Sequence, residues 1–216
     1  MPKLVFFDCD STLTTIEGID YLAKNSEHYQ SIIALTNAAM TDGKYDTEMY
    51  LKRLQYLDLS PEMLFCLADH YWHNQTLGAK EVISELKSNN YQCFLISAGL
   101  NPAVSIFGAR LGIEPSNIYA VDYDFQGNIT KNIELTTIDG KNKIITKIKN
   151  NLEHPESAHI FMVGDGANDL IECADLLIGF GGNAKRANLI DQFDYYIEEQ
   201  DISSILPVIY NYKKTH

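Results

Sequence analysis

The sequence has little positive charge. Its 216 residues contain 17 Lys and Arg against 29 Asp and Glu, which gives a formal net charge of −12 at pH 7. Nucleic acids and anionic membrane surfaces are bound through basic footprints. We therefore expect neither nucleic acid nor a membrane among the partners. A phosphorylated ligand would have to be attracted by positive charge concentrated at its own site.

Long apolar runs and paired cysteines are also scarce. No run approaches the roughly 18 apolar residues that a membrane span requires, and the apolar stretch at 4–7 is too short for a signal peptide. The four cysteines include no CxxC pair, which disfavours a zinc cluster. Scattered thiols beside apolar runs are typical of a reducing compartment, so we expect a cytoplasmic protein.

Short apolar runs instead alternate with helical patterns along the chain. Five of these runs have the continuous apolar character of buried parallel strands, namely 4–7, 93–96, 160–163, 176–178 and 195–197. Residues 119–135 differ, because they alternate around 126–128 as a β-hairpin does. The pattern predicts an α/β fold, with a Rossmann-like parallel sheet as its core and a small β-hairpin.

Residues 16–76 interrupt this alternation, because they show helical patterns and no strand. An insertion of this length after the first strand predicts a helical cap. Active sites of open parallel sheets lie at the carboxyl ends of the strands, so the cap would cover that edge. We expect a core formed by residues 1–15 and 77–216, with the cap inserted between the two parts.

Polar residues directly follow the three strongest strands. Asp8–Thr12 follow the first strand, Ser97 and Ala98 the second, and residues 164–169 the third. Their carboxylates would converge at one edge of the sheet. Two unit charges 4 Å apart repel by about 4 kcal/mol at an effective dielectric near 20, so the cluster requires a cation. Oxygen ligands of this kind favour a hard ion such as Mg²⁺.

The same edge offers groups that can hold a phosphate. These are the hydroxyls of Thr12 and Ser97, backbone N–H groups near Ser11 and Ala98, and the ammonium of Lys141. A Walker A sequence is absent, so a nucleotide cradle of that kind is not expected. Of the carboxylates Asp8 and Asp10, one can attack phosphorus while the other protonates the leaving oxygen.

Together these residues resemble the four motifs of the haloacid dehalogenase superfamily of phosphatases. The motifs are DCDST at 8–12, Ser97, Lys141, and GDGANDL at 164–170. Within the superfamily the sequence is most similar to the phosphoserine phosphatases, and the likeness extends to Ala184-Lys185 and covers nearly the whole chain. The resemblance implies a Mg²⁺-dependent phosphomonoester hydrolase that forms an aspartyl-phosphate. It also implies that L-phosphoserine is converted to L-serine and phosphate, as in serine biosynthesis.

The resemblance also assigns roles to the residues of the sheet edge. Asp8 would be the nucleophile and Asp10 the general acid and base. Mg²⁺ would bind the carboxylates of Asp8 and Asp165 and the main-chain carbonyl of Asp10. Asn168 and Asp169 would support the metal site and its waters.

Substrate contacts are implied in the same way. Ser97 and Lys141 would hold the phosphate. Glu17 would pair with the substrate ammonium, and Arg53 with its carboxylate, because the guanidinium fork grips a carboxylate through two hydrogen bonds. Met40 is expected to line the cap, either within its core or facing the substrate.

Three positions depart from the family pattern and leave alternatives open. Ala98 and Asn142 stand where the family usually has Gly, and Asp46 stands where phosphoserine phosphatases commonly have an aromatic residue. A carboxylate near the substrate would favour a cation or a polyol over another carboxylate. The same chemistry could therefore act on a sugar or polyol phosphate or a phosphocholine-like ester, or transfer the phosphoryl group to an acceptor alcohol.

Two alternatives without catalysis also remain. One is a receiver-like domain, although that fold is shorter and places its phosphorylated Asp on a later strand. The other is a catalytically inactive binding member of the superfamily, although every catalytic position is filled. We expect a small-molecule phosphate ester as the ligand, and a monomer or homodimer.

Overall fold

A single sheet forms the centre of the computed structural model. The structure describes residues 1–24, 26–42, 46–126 and 128–213, with side chains at 37–42 left out. The strands found in these residues are β1 (Lys3–Phe7), β2 (Gln92–Leu100), β3 (Ile118–Tyr123), β4 (Ile129–Lys131), β5 (His159–Gly164), β6 (Leu176–Phe180) and β7 (Tyr195–Ile197). Their order across the sheet is β4-β3-β2-β1-β5-β6-β7.

All neighbouring strands pair in parallel except β3 and β4, which are antiparallel. The five strands expected from the sequence are thus confirmed. The expected hairpin is also confirmed as β3–β4, and Gly127 of the sequence between them lies outside the described residues.

Helices cover the sheet and fill the insertion after β1. The α-helices within the described ranges are α1 (Gly18–Ala23), α2 (Tyr29–Asp42), α3 (Thr47–Gln55), α4 (Pro61–His73), α5 (Ala79–Ser88), α6 (Ala103–Arg110), α7 (Gly140–Asn150) and α8 (Ile205–Asn211). The first four lie within residues 16–76, where the sequence predicts the helical insertion, and α5 leads from it to β2. The division into a core and a separate cap stays a prediction. Within the described part of the chain, no helix is long and apolar enough to cross a bilayer.

β1 is a deeply buried strand and fixes the position of the site. Leu4, Val5, Phe6 and Phe7 have no exposed surface, because β1 pairs with β2 on one side and β5 on the other. Helices cover both faces of such a sheet, so a continuous apolar run suits it. The chain leaves β1 for β2 and later returns on the other side at β5. The carboxyl end of β1 is therefore the switch point where open α/β sheets bind ligands.

The two ends of the helical insertion are tied together beside this switch point. Thr14 forms an isolated antiparallel bridge with Gln75. The Thr76 hydroxyl donates to the carbonyl of Thr12 at 2.6 Å, and Asn183 Nδ2 donates to Thr76 Oγ1 at 2.6 Å. The insertion therefore leaves and re-enters the core next to the loop that follows β1.

We predict that Phe6→Ala strongly destabilises the protein. Its ring has no exposed surface and stacks on Phe94 with centroids 4.6 Å apart, so truncation would lower the free energy of unfolding by about 3–5 kcal/mol. Phe65 is 54% exposed, and Phe65→Ala should change that energy by less than about 0.5 kcal/mol. Urea denaturation followed by circular dichroism measures both. Similar losses in the two variants would contradict the assigned core.

Candidate active site

The loop after β1 places two carboxyl groups at the sheet edge. Asp8 continues the sheet ladder, since its N–H donates to the carbonyl of Val163 at 2.9 Å. A compact turn over Cys9–Leu13 follows, and Ser11 within it has a left-handed backbone with φ of 55°. Asp8 is almost completely buried. The side chain of Asp8 is thus held directly beyond the end of β1.

Lys141 joins the carboxylate of Asp8 to that of Asp169. From the first turn of α7, its Nζ lies 2.7 Å from Asp8 Oδ1 and 2.6 Å from Asp169 Oδ1. Burial alone would lower the pKa of Lys141, but the charges of Asp169 and Asp8 raise it above its ordinary value. Lys141 therefore stays an ammonium, although almost none of its surface is exposed.

Three carboxyl groups lie close enough to hold a metal ion. One oxygen each from Asp8, Asp165 and Asp169 lies within 4.8 Å of the others. Asp169 already uses both oxygens, since Oδ1 accepts from Lys141 and Oδ2 accepts from the N–H of Gly166 at 3.0 Å. Asp8 and Asp165 are therefore the two carboxylates suited to the ion.

The electrostatics of these groups favour a cation. Burial raises the pKa of Asp8 to about 7, partly offset by Lys141. Burial and the neighbouring charge of Glu17 raise the pKa of Asp165 well above its ordinary value. Asn168 Oδ1 is a buried oxygen without a hydrogen-bond partner among the described residues. Oxygen donors of this kind fit a hard divalent ion.

Asp10 differs from Asp8 in its surroundings. Its Oδ2 accepts from the N–H of Gly18 at 3.0 Å, at the start of α1. Burial and the nearby charge of Glu17 raise the pKa of Asp10 well above its ordinary value, and the Tyr71 hydroxyl offsets this only in part. A carboxyl group with a raised pKa holds its proton to higher pH, which suits it to protonate a leaving oxygen.

Groups that can bind a phosphate lie beside these carboxyls, with one correction to the sequence prediction. Ser97 is buried, and so is Thr12, whose hydroxyl has no hydrogen-bond partner within the described residues. The prediction that Ser11 helps to hold the phosphate is wrong in this structure. Its N–H donates to the carbonyl of Ile16 at 3.2 Å and its hydroxyl donates to Glu17 Oε1 at 2.7 Å. The left-handed backbone at Ser11 directs both groups towards the start of the insertion.

A small cavity of about 20 Å³ lies between the sheet edge and the helical insertion. Its walls carry groups from both parts of the chain, namely Asp8, Asp10, Glu17, Ile19, Thr36, Arg53, Ser97, Ala98, Gly99 and Asn168. Arg53 is only 2% exposed, and its Nη1 donates to Thr36 Oγ1 at 3.2 Å. Glu17 and Arg53 therefore bring opposite charges to the part of the cavity that faces the insertion.

The other two expected substrate contacts are Met40 and Asp46. Met40 lies in α2, and its side chain is outside the described residues. Asp46 is exposed, and its Oδ1 accepts from the N–H of Met49 at 2.8 Å. It caps the N-terminus of α3, a position that short acidic side chains prefer. The expectation that Asp46 faces the substrate is thus corrected.

Arg186 belongs to the site, although sequence reasoning did not identify it. Its Nε and Nη2 lie 2.9 Å and 2.8 Å from Asp165 Oδ2, and Nη2 also lies 3.3 Å from Glu17 Oε1. The Ala184-Lys185 pair points to the right segment of the chain. The Lys185 ammonium, however, pairs with Glu198 at the surface, at 2.7 Å. Only the next residue turns towards the carboxylates.

The sequence is similar to those of known phosphoserine phosphatases. A phosphoserine phosphatase of Mus musculus is 33% identical over 202 residues, which cover 90% of this chain and 88% of the mouse protein. One from Methanocaldococcus jannaschii is 32% identical over 220 residues, covering 96% of this chain and 97% of that protein.

Solved structures and a family model agree with these relatives. A structure described as a phospho-aspartyl intermediate analogue of phosphoserine phosphatase matches with a TM-score of 0.79 and 29% identity, covering 96% of this chain and 98% of that one. The family model of haloacid dehalogenase-like hydrolases matches residues 2–175. The chain therefore belongs to the haloacid dehalogenase-like hydrolase family, and it is a phosphomonoesterase.

Proposed function

We propose that this protein is a Mg²⁺-dependent phosphoserine phosphatase, which hydrolyses L-phosphoserine to L-serine and phosphate through an aspartyl-phosphate. The observation that carries the proposal is the single cavity with two chemically different parts. Asp8, Asp10 and Ser97 line the part at the sheet edge, and Glu17 and Arg53 line the part at the insertion. The similarity to curated phosphoserine phosphatases supports the same substrate.

The charges around the cavity match the three ionic groups of L-phosphoserine. The phosphate would lie against Ser97 and Lys141. The ammonium would pair with Glu17, and the carboxylate with Arg53, which suits planar two-bond recognition. Asp46 motivated the alternatives of a polyol phosphate and a phosphocholine-like ester. Its exposed position as the N-cap of α3 supports L-phosphoserine over these esters, although Ala98, which also motivated them, lines the cavity.

The proposed reaction has two displacement steps at phosphorus. Asp8 attacks, the bond from phosphorus to the seryl oxygen breaks, and Asp10 gives its proton to that oxygen. Asp10 then takes a proton from a water molecule that attacks the aspartyl-phosphate, and phosphate leaves while the Asp8 carboxylate re-forms. Lys141 holds Asp8 in place and favours its charged form.

Mg²⁺ would be held by the carboxylates of Asp8 and Asp165 and the main-chain carbonyl of Asp10, with Asn168 beside them. When bound, the ion would neutralise charge on these carboxylates and on the phosphoryl oxygens. Residues 16–76 would serve as the cap that excludes bulk water from the reacting atoms. Thr12 and the N–H of Ala98 would donate to the phosphate.

A panel of phosphate esters tests the substrate. L-phosphoserine should exceed phosphoethanolamine, which lacks the carboxylate, and 3-phosphoglycerate, which lacks the ammonium. We expect each difference in kcat/KM to be about tenfold to a hundredfold, because a hydrogen bond to a charged group contributes about 1.5–3 kcal/mol. Phosphate release measures the rates. A sugar phosphate hydrolysed faster than L-phosphoserine would contradict the proposal.

Arg53→Ala should remove the preference for substrates that carry a carboxylate. We expect kcat/KM for L-phosphoserine to fall by about tenfold or more, whereas the value for phosphoethanolamine should change little. Arg110→Ala is the matched control, because Arg110 forms a partly exposed pair with Asp69 at 2.6 Å. Equal losses for both esters would show that Arg53 does not read the carboxylate.

Asp8→Asn should abolish turnover, because a neutral amide cannot form the aspartyl-phosphate. We expect a loss in kcat on the order of 10⁴-fold or more, as for other covalent nucleophiles. Incubation with ³²P-labelled substrate and acid quenching should label the wild-type protein but not this variant. Asp139→Asn is the control, since Asp139 is exposed beside α7. Undiminished labelling of Asp8→Asn would rule out Asp8 as the nucleophile.

Metal and protons should compete at Asp8. Without metal, burial raises the pKa of Asp8 to about 7, so the nucleophile becomes protonated as the pH falls below that value. A divalent cation favours the ionised form and lowers this pKa. The acidic limb of the kcat/KM profile should therefore move to lower pH as Mg²⁺ is raised, and EDTA should abolish activity. A limb that stays fixed at all Mg²⁺ concentrations would contradict this competition.

A further inference from the structure

The peptide group between Ala98 and Gly99 is held at both of its polar atoms. The Tyr50 hydroxyl donates to the carbonyl of Ala98 at 2.7 Å. The N–H of Gly99 donates to Ser97 Oγ at 2.9 Å. Tyr50 comes from α3 in the helical insertion, whereas the peptide group belongs to β2. One side chain of the insertion is therefore bonded directly to the segment that presents Ser97.

This chain of hydrogen bonds sets the direction of the Ser97 hydroxyl. Because Ser97 Oγ accepts from Gly99, its own proton points away from that N–H and can be donated into the cavity that Ser97 lines. Hydrogen bonds in series polarise one another in a buried setting. Donation by Tyr50 to the Ala98 carbonyl therefore strengthens the Gly99 donor and fixes Ser97 as a donor.

Tyr50 also contacts Arg53, which lines the part of the cavity that faces the insertion. Arg53 lies three residues further along α3, so both side chains share one face of the helix. The Arg53 guanidinium carbon lies 5.3 Å from the centroid of the Tyr50 ring. Both Tyr50 and Arg53 are buried. Tyr50 thus touches the candidate carboxylate-binding group and the backbone beside the candidate phosphate-binding group.

We propose that Tyr50 is a positioning residue, which orients the Ser97 hydroxyl and sets the spacing between the phosphate-binding segment and Arg53. The proposal rests on the function proposed above and deepens it. A fixed spacing favours phosphate esters that also carry a carboxylate, such as those of small hydroxy-amino acids. For esters without a carboxylate, Tyr50 would strengthen binding only through the orientation of the Ser97 hydroxyl.

A second contact between α3 and the core provides a matched control. Thr47 Oγ1 lies 2.8 Å from Thr136 Oγ1, also across the boundary between insertion and core. Thr47 is not among the residues that line the cavity. Thr47→Val therefore removes one hydrogen bond that docks α3 without touching the Ala98–Gly99 peptide group.

The test is Tyr50→Phe, which keeps the buried ring and removes only the hydroxyl. We expect the inhibition constant of inorganic phosphate, measured with p-nitrophenyl phosphate as substrate, to rise about fivefold or more. We also expect the preference for L-phosphoserine over phosphoethanolamine to fall at least threefold. Thr47→Val should change neither value by more than about twofold. No change in Tyr50→Phe, or equal changes in Thr47→Val, would overturn the proposal.

A second measurement does not depend on how Tyr50→Phe folds. Incorporation of 3-fluorotyrosine at position 50 keeps the ring and the hydroxyl and gives a single ¹⁹F signal. This signal should shift when inorganic phosphate is titrated with Mg²⁺ present, and the half-point should match the inhibition constant. A signal unaffected by saturating phosphate would overturn the proposal. A wild-type protein that does not prefer L-phosphoserine would instead refute the proposed substrate, because phosphate inhibition is measured without it.

Discussion

The site depends first on the buried ammonium of Lys141, which bonds to Asp8 at 2.7 Å and to Asp169 at 2.6 Å. A buried charge without a partner is strongly destabilising, whereas a well-bonded one is tolerated. These contacts join α7 to the loops that follow β1 and β5. The interactions that hold Asp8, the proposed nucleophile, in place therefore also hold three elements of the fold together. The geometry of the candidate site and local stability share the same contacts.

Arg186 is a second cation that pairs with carboxyl groups of the cluster, as Lys141 pairs with Asp8. Its guanidinium bonds to Asp165 and reaches Glu17, the residue before α1. It thereby links a candidate metal ligand to the first residues of the helical insertion. Among the described residues the carboxyl groups around the cavity still outnumber the cations. Burial, together with the charges of neighbouring carboxyl groups, raises the pKa values of Asp8, Asp10 and Asp165. A divalent ion and a substrate ammonium are the groups that would offset it.

Much of the fold and several residues of the candidate site could be predicted from the sequence. Strands such as β1 and β5 are continuous apolar runs, a pattern that few other structures share. Asp8, Ser97 and Asp165 follow buried strands directly, so parallel topology brings them together. The wrong predictions concern residues whose hydrogen-bond partners depend on the local direction of the backbone. Ser11 was expected to offer its N–H to an anion, but a left-handed φ of 55° directs it to Ile16. Asp46 was expected at the substrate, but it caps α3.

The sequence by itself determined the order of the strands along the chain, the helical insertion and the carboxylates at the sheet edge. Each of these follows from residues that are neighbours in the chain, where periodicity and position carry the information. Only the tertiary structure decided that Arg186 rather than Lys185 turns inward, and that Tyr50 meets Ala98. These contacts join residues 169 and 48 positions apart. They depend on the rotation of a helix or loop against the sheet, and packing of the whole chain sets that rotation.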